Sequence, residues 1–339
     1  MKKSQTLVMQ DIARMAGVSE STVSRALAGS PLVAKKTRER ILELAKTARY
    51  TVNESARNLR QRKSRTIEVV IPIEAHGRQQ ISDPFFLDML GSIADALALR
   101  GYDMLLSKIA PWANSGRRNP LLAGRADGII IIGQGRQCAE LNDFARHNRP
   151  VAVWGAHLPN NDYVVVGSDN HLGGKTATEH LLKLGRRHIA FLGDTEQPEI
   201  ALRHQGYVDA LHEAGVEART ALNINAPFDS AEAFAAAKGL IRSVKHFDAI
   251  VAASDVIAMS AIAALRQAGL RVPEDVSVTG YDNIASSAWF SPPLTTISQS
   301  IDKGGEALVD ALFDQISGRE GRSVVLPAEL IVRGSCGES

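Results

Sequence analysis

The stretch DIARMAGVSESTVSRAL, residues 11–27, decides how the N-terminal part of this chain folds. Ile12, Met15 and Ala16 recur at helical spacing, and Gly17 follows them as a stop. Ser19 then offers a hydroxyl N-cap, Val23, Ala26 and Leu27 form a second apolar stripe, and Gly29 ends it. Two short amphipathic helices across a tight Gly-Val turn make a helix-turn-helix. Glu20, Ser21, Thr22 and Arg25 fall at the start and outer face of the second helix, where such a helix meets base edges in the major groove. A third helix, about 35–48, brings Ile41, Leu44, Ala45 and Ala48 to close a small core. Its polar face carries Lys35, Lys36, Arg38 and Arg40, suited to phosphates.

The charge distribution points the same way. Residues 1–65 hold 15 Lys/Arg against 5 Asp/Glu, a net of +10, whereas the rest of the chain holds 24 against 32, a net of −8. A basic segment on a mildly acidic body suggests that the segment meets a polyanion. The two cysteines, Cys138 and Cys336, match no metal spacing and give no disulfide framework. The N-terminus has two lysines but no apolar run fit for a signal peptide, and no window spans a membrane. A cytoplasmic location is expected.

Outward from the first stretch, TRERILELAKTARY (37–50) and NESARNLR (53–60) follow. Together these three strings closely resemble the LacI/GalR family of bacterial repressors, and the resemblance continues through nearly the whole chain. It implies base contacts by Glu20, Ser21 and Arg25, with Thr22 and Ser24 contacting phosphate or positioning the helix. It also implies a hinge that is helical only on the operator. A helix of about eight residues from Asn53 is too short to stand alone in water. Asn53 suits its N-cap, and Ala56 and Leu59 share one side. In a dimer, paired hinge helices would pack at Ala56 and wedge Leu59 between base steps, while Arg57 and Arg60 hold phosphates. Two positions depart from the family pattern: Val52 replaces the usual proline before the hinge asparagine, and Ala34 replaces the usual serine cap of the third helix.

From Thr66 onward, apolar runs such as TIEVVIPI, ADGIIII, RHIAFLG and DVSVTGYD alternate with amphipathic helical stretches. That alternation predicts parallel sheets of the α/β class, and the length calls for two subdomains. The expected fold is therefore an N-terminal all-α helix-turn-helix domain plus a periplasmic-binding-protein-like α/β domain of two parallel-sheet subdomains. The expected boundaries are 1–51 for the DNA-binding domain, 52–65 for the hinge and 66–339 for the effector and dimerisation domain. Within the last, the N-subdomain takes about 66–168 plus 298–327 and the C-subdomain about 169–297 plus 328–339.

Open α/β sheets bind ligands at the C-terminal ends of their strands. Candidate ligand residues there are Phe85, Phe86, Gln197, Glu199, Arg203, Phe228, Asp255, Asp282 and Trp289. The resemblance assigns Arg203 and Asp282 to ligand contact and places Gln197 and Glu199 where ligands are discriminated. Asp255 reads either as a helix N-terminal acid or as a ligand contact. Aromatic faces beside Arg and Asp suit a sugar, and a nucleobase would use aromatics too.

GQGRQC lacks the third glycine of a dinucleotide fingerprint, GSDNHLGGKT lacks the first glycine of a phosphate loop, and no catalytic triad stands out. No enzyme activity and no cofactor are expected. The expected function is a dimeric repressor on a pseudopalindromic operator, controlled by a small effector; the sign of the effector response is open. A periplasmic sugar receptor is disfavoured by the basic head and the missing signal peptide.

Overall fold

The computed structural model describes residues 7–27, 29–48, 50, 64–73, 79–108, 112, 121, 124–136 and 138–337. It divides into two compact units, Met1–Ser64 and Arg65–Ser339. The hinge residues Asn53, Ala56, Arg57, Leu59 and Arg60, and Val52 before them, lie outside the described residues, as does most of 109–123.

The first unit holds α1 (Met9–Ala16), α2 (Glu20–Leu27) and α3 (Lys35–Thr47). Gly17 ends α1 in the left-handed region at φ 63°, where its N–H reaches the Arg14 carbonyl. Ser19 caps α2, its Oγ accepting from the Thr22 N–H at 3.2 Å. α3 starts at Ala34 with no side-chain cap. Ile12, Ala13, Ala16, Val23, Ala26, Val33 and Ile41 form the buried core. Ala13, not the expected Met15, completes the inner stripe of α1. Met15 is exposed, because α2 and α3 cover the Ile12–Ala16 side of the helix and the longer side chain falls beyond it.

The second unit contains two six-stranded sheets. The first uses β1 (Thr66–Val70), β2 (Asp103–Ser107), β3 (Gly128–Ile132), β4 (Val151–Trp154), β5 (Val164–Ser168) and β11 (Val324–Leu326), ordered β11-β5-β4-β3-β1-β2 and parallel throughout. The second uses β6 (Ile189–Leu192), β7 (Asn223–Ile224), β8 (Ala249–Ala252), β9 (Ser277–Asp282), β10 (Thr295–Ser298) and β12 (Glu329–Ile331), ordered β12-β10-β9-β8-β6-β7. Only the β10–β12 pair in it is antiparallel.

Alternation of side chains across a strand builds two cores on the first sheet. Ile67, Val69, Ile130 and Ile132 face α4 (Pro84–Ala98) and α10 (Ile301–Ile316). Val70, Ile129 and Ile131 face Leu141, Phe144 and Ala145 of α5 (Cys138–His147). The second sheet shares one continuous core with α6 (Asn170–Lys183), α7 (Pro198–Glu213), α8 (Ser230–Ser243) and α9 (Asp255–Gln267). The chain passes between the sheets three times: after β5, after β10, and between β11 and β12.

Candidate DNA-reading helix and effector cleft

On α2, Glu20, Ser21 and Arg25 are exposed, while Thr22 and Ser24 are partly covered. The exposure follows from the stripe: Val23 and Ala26 turn inward, so the residues between them turn outward. Ser19 Oγ lies 2.9 Å from both Ser21 Oγ and Thr22 Oγ1, a hydroxyl cluster over the helix N-terminus. Asp11 Oδ1 accepts from Arg14 at 2.6 Å, so the cation of α1 is paired and that of α2 projects alone from its helix face. An exposed Glu, Ser and Arg on one short helix supply an acceptor, a two-way hydroxyl and a bidentate donor for base edges.

The cleft is organised around Arg203. Helices α6 and α7 pack so closely that a Cβ on Gly174 would stand 2.0 Å from the Arg203 carbonyl oxygen, and one on Gly206 would stand 2.0 Å from that of His171. That approach brings the buried Arg203 side chain beside Asn170, the first residue of α6. Its Nε donates to Asn170 Oδ1 at 2.8 Å and a terminal nitrogen donates to the Ala253 carbonyl at 2.6 Å. The guanidinium also lies 3.6 Å from the ring centroid of Tyr281.

Asp282 ends β9 with φ 115°, and Asn283 follows at φ 57°. Two consecutive residues other than glycine in this region cost roughly 1–3 kcal/mol each and cluster at functional sites. Gln299 Nε2 donates to Asp282 Oδ1 at 2.6 Å, and Gln299 Oε1 accepts from Ser168 Oγ at 2.8 Å. Burial holds the Asp282 carboxyl well above the usual carboxylate range; Arg203 pulls it down, while Asp255 and Asp83 push it up. Asp83 caps α4 through the Phe85 N–H at 3.0 Å, and burial raises its carboxyl as well. The two halves of the unit thus each contribute a desolvated carboxyl to one region.

Glu199, at the start of α7, is half-buried; burial raises its carboxyl and Arg203 opposes this. Its Oε1 accepts from the Gln134 N–H at 3.4 Å, a contact between the two halves. Gln197 is the residue before α7, without a side-chain cap bond. Phe85 is half-buried, with its ring 6.2 Å from Trp154 and 5.6 Å from Phe86. Phe228 is partly buried against the core of the second sheet.

Three expected ligand residues sit elsewhere. Asp255 has no exposed surface, and both its oxygens are taken: Oδ1 accepts from Thr296 at 2.5 Å and Oδ2 from the Ile284 N–H at 2.9 Å. It is a brace for the loop after β9, and burial, opposed first by the Thr296 hydroxyl, raises its carboxyl to about 7. Ser254, not Asp255, caps α9. Phe86 is a core residue beneath α4. Trp289 is 89% exposed at the end of a short turn, so its indole encloses nothing.

Conversely, Asn170, Tyr281, Gln299 and Asp83 are brought to the cleft without having been singled out as ligand residues. Asn170 stands in the Asp169-Asn170 pair, which reads as a structural landmark. Gln299 precedes Ser300, whose φ of 51° marks an unusual turn.

The helix-turn-helix matches the model of bacterial regulatory proteins, lacI family, over residues 8–53, and a periplasmic binding protein-like domain matches over 178–336. The HTH-type transcriptional repressor PurR of Histophilus somni (strain 129Pt) is 30% identical over 96% of this chain and 98% of its own. The HTH-type transcriptional regulator CelR of Thermobifida fusca is 30% identical over 99% and 100%.

The chain belongs to the LacI family of bacterial regulators.

Among solved structures, the lac repressor dimer bound to operator and the anti-inducer ONPF superposes with a TM-score of 0.85 at 25% identity, covering 98% of this chain and 99% of that one. The CelR–cellobiose complex gives 0.72 at 29% identity over 97% and 99%. This LacI-family member is a DNA-binding transcriptional repressor with an effector-binding domain, and not an enzyme. No helix among the described residues is long and apolar enough to cross a membrane.

Proposed function

We propose that this LacI-family repressor works in the cytoplasm as a homodimer that reads a pseudopalindromic operator and answers to a small saccharide. Glu20, Ser21 and Arg25 read base edges, Thr22 and Ser24 hold phosphates or set the helix, and Asn53 caps a hinge helix. Paired hinges pack at Ala56, wedge Leu59 into the minor groove and hold phosphates with Arg57 and Arg60. The boundaries 1–51, 52–65 and 66–339, with two subdomains in the last, are the working division of the chain.

The observation that carries the effector class is the acceptor-rich cleft. Asp83, Asp282 and Glu199 are desolvated carboxyls, each with one oxygen not engaged by the bonds described above, and Arg203 is partly engaged by Asn170 and Ala253. A ligand rich in hydroxyl donors satisfies such a set, with Phe85 or Phe228 against its C–H face. The likeness to a CelR–cellobiose complex supports this reading. A nucleobase is the second reading, favoured by the identity shared with PurR regulators.

Four measurements test it. Gel shifts on genomic fragments over a salt series should show sequence-selective, salt-dependent binding; their absence would end the operator proposal. Leu59→Ala should weaken operator binding and reduce DNA bending without touching effector affinity. Thermal shifts against sugars and nucleobases identify the effector, since binding to the native state raises the Tm. A response to nucleobases alone overturns the saccharide. Operator binding with and without the hit gives the sign of control.

A further inference from the structure

One contact between the two halves of the effector unit lies away from Arg203 and Asp282. The loop after β3 belongs to the first sheet, and the loop after β6 belongs to the second. Arg136, on the first loop, donates to Asp194 Oδ2 at 2.8 Å and forms an ion pair with Glu196 Oε2 at 2.7 Å, both on the second. The Asp194 side chain is only 8% exposed, and that of Arg136 is 43% exposed.

Both loops are held firmly at their base. Gln134 is fully buried: its Nε2 donates to the Ala156 carbonyl and to Tyr163 Oη, each at 2.9 Å, and its Oε1 accepts from the Ala156 N–H at 2.8 Å. Asp194 Oδ1 accepts from the Glu196 N–H at 3.2 Å, which folds the second loop into a turn. A guanidinium fork on one half therefore meets a nearly buried carboxylate, Asp194, and an exposed one, Glu196, on the other. The Gln134 N–H to Glu199 contact runs alongside it.

We propose that Arg136 is an affinity-setting residue of this protein: with Asp194 and Glu196 it forms a clasp that holds the two halves closed before any effector arrives. The halves are also joined covalently through three chain crossings, which act as hinges between rigid sheets. An ion pair present only when they are closed shifts the open–closed equilibrium by its own interaction energy. A hydrogen-bonded pair with one nearly buried partner shifts that equilibrium about tenfold. Because the apparent affinity of a ligand scales with the fraction of competent protein, effector affinity falls with the clasp. This last consequence rests on the proposal that the effector binds in the cleft; the clasp itself does not.

The test uses the full-length dimer and needs no effector. Spin labels at Asn160→Cys on the first half and Glu217→Cys on the second, in a Cys138→Ala background, report the distance between halves. Labelled chains are diluted with unlabelled ones. At low salt the parent should be mainly closed. Arg136→Met should shift the distribution to longer distances. Asp194→Asn, which keeps the Oδ1 acceptor for the turn, should do the same in part. The double variant should open no further than Arg136→Met alone. In about 1 M salt, where the Debye length is near 3 Å, the parent and Asp194→Asn should move toward Arg136→Met, while Arg136→Met stays where it is. Identical distributions for the parent and both single variants overturn the clasp, as does full additivity in the double variant. A clasp that opens as described in a protein whose cleft binds no sugar or nucleobase sinks the effector proposal and leaves this one standing.

Discussion

The DNA-reading helix and the effector cleft use polar side chains in opposite ways. On α2, Glu20, Ser21 and Arg25 stand in water. In the cleft, Arg203 and Asp282 are buried, and their partners Asn170 and Gln299 are buried with them. A solvated group can be changed without harming the fold, because water replaces what is lost. A buried network cannot, because removing one member leaves the others desolvated and unpaired. The helix is thus free to vary its reading of DNA, whereas the cleft binds its fold stability to its ligand chemistry.

Arg203→Ala should break that contrast most severely. It leaves Asn170 Oδ1 and the Ala253 carbonyl without their donor and Asp282 without its nearest opposing charge. Each buried acceptor left unpaired costs about 1–3 kcal/mol, and urea denaturation should show the sum together with loss of the effector response. A loss under about 1 kcal/mol would mean that water enters the cleft freely.

A second prediction concerns pH. Asp255 has its carboxyl raised from 3.8 to about 7, so the folded protein holds a proton that the unfolded chain releases within that window. Stability from this group is complete below the window and is lost as pH rises through about 7. Over the whole window the change is about 4 kcal/mol, of which about 3 kcal/mol falls above about pH 5. Asp255→Asn, measured by denaturation at about pH 5 and about pH 8, should flatten that decline; an unchanged slope would place the proton elsewhere.

On the helix, Arg25→Ala should cost about 1–3 kcal/mol of operator binding per half-site while unfolding stability stays within about 0.5 kcal/mol. Equal losses in both would erase the distinction between helix and cleft. The smallest effect is expected from Ala34→Ser. α3 begins without a side-chain cap, and a serine there should add about 1 kcal/mol to the first unit, read as a higher Tm at unchanged effector binding.

How much could be read beforehand depended on the distance between partners. Gly17, Ser19 and Gly29 act within a few residues of themselves, so the helix-turn-helix was legible in one short string. Long strands such as β3 and β6 announced themselves as apolar runs. Strands β7, β11 and β12, two or three residues long, carry no periodicity and form only because a sheet edge is already there. Within the cleft, Arg203 was legible, but its reliance on Asn170, 33 positions away, was not. Gln299 meets Ser168 across 131 positions. Trp289 and Asp255 show how residue type and position in the chain leave the surroundings of a side chain open. An indole and a carboxylate in a strand-end loop suit a ligand by type, yet one faces solvent and the other braces the loop.

The sequence by itself determined the kind of protein this is. Capping residues, apolar stripes and the basic charge of its first 65 residues are local properties, and local physics suffices to make three small helices with an exposed polar face. It also determined the class of the larger unit, because strand and helix periodicities alternate along the chain. Only the tertiary structure decided which polar groups share the cleft, which carboxyls burial pushes up, and that Arg136 reaches across to Asp194 and Glu196. Those outcomes depend on desolvation and on distances between residues far apart in the chain, and neither quantity exists until the sheets have packed.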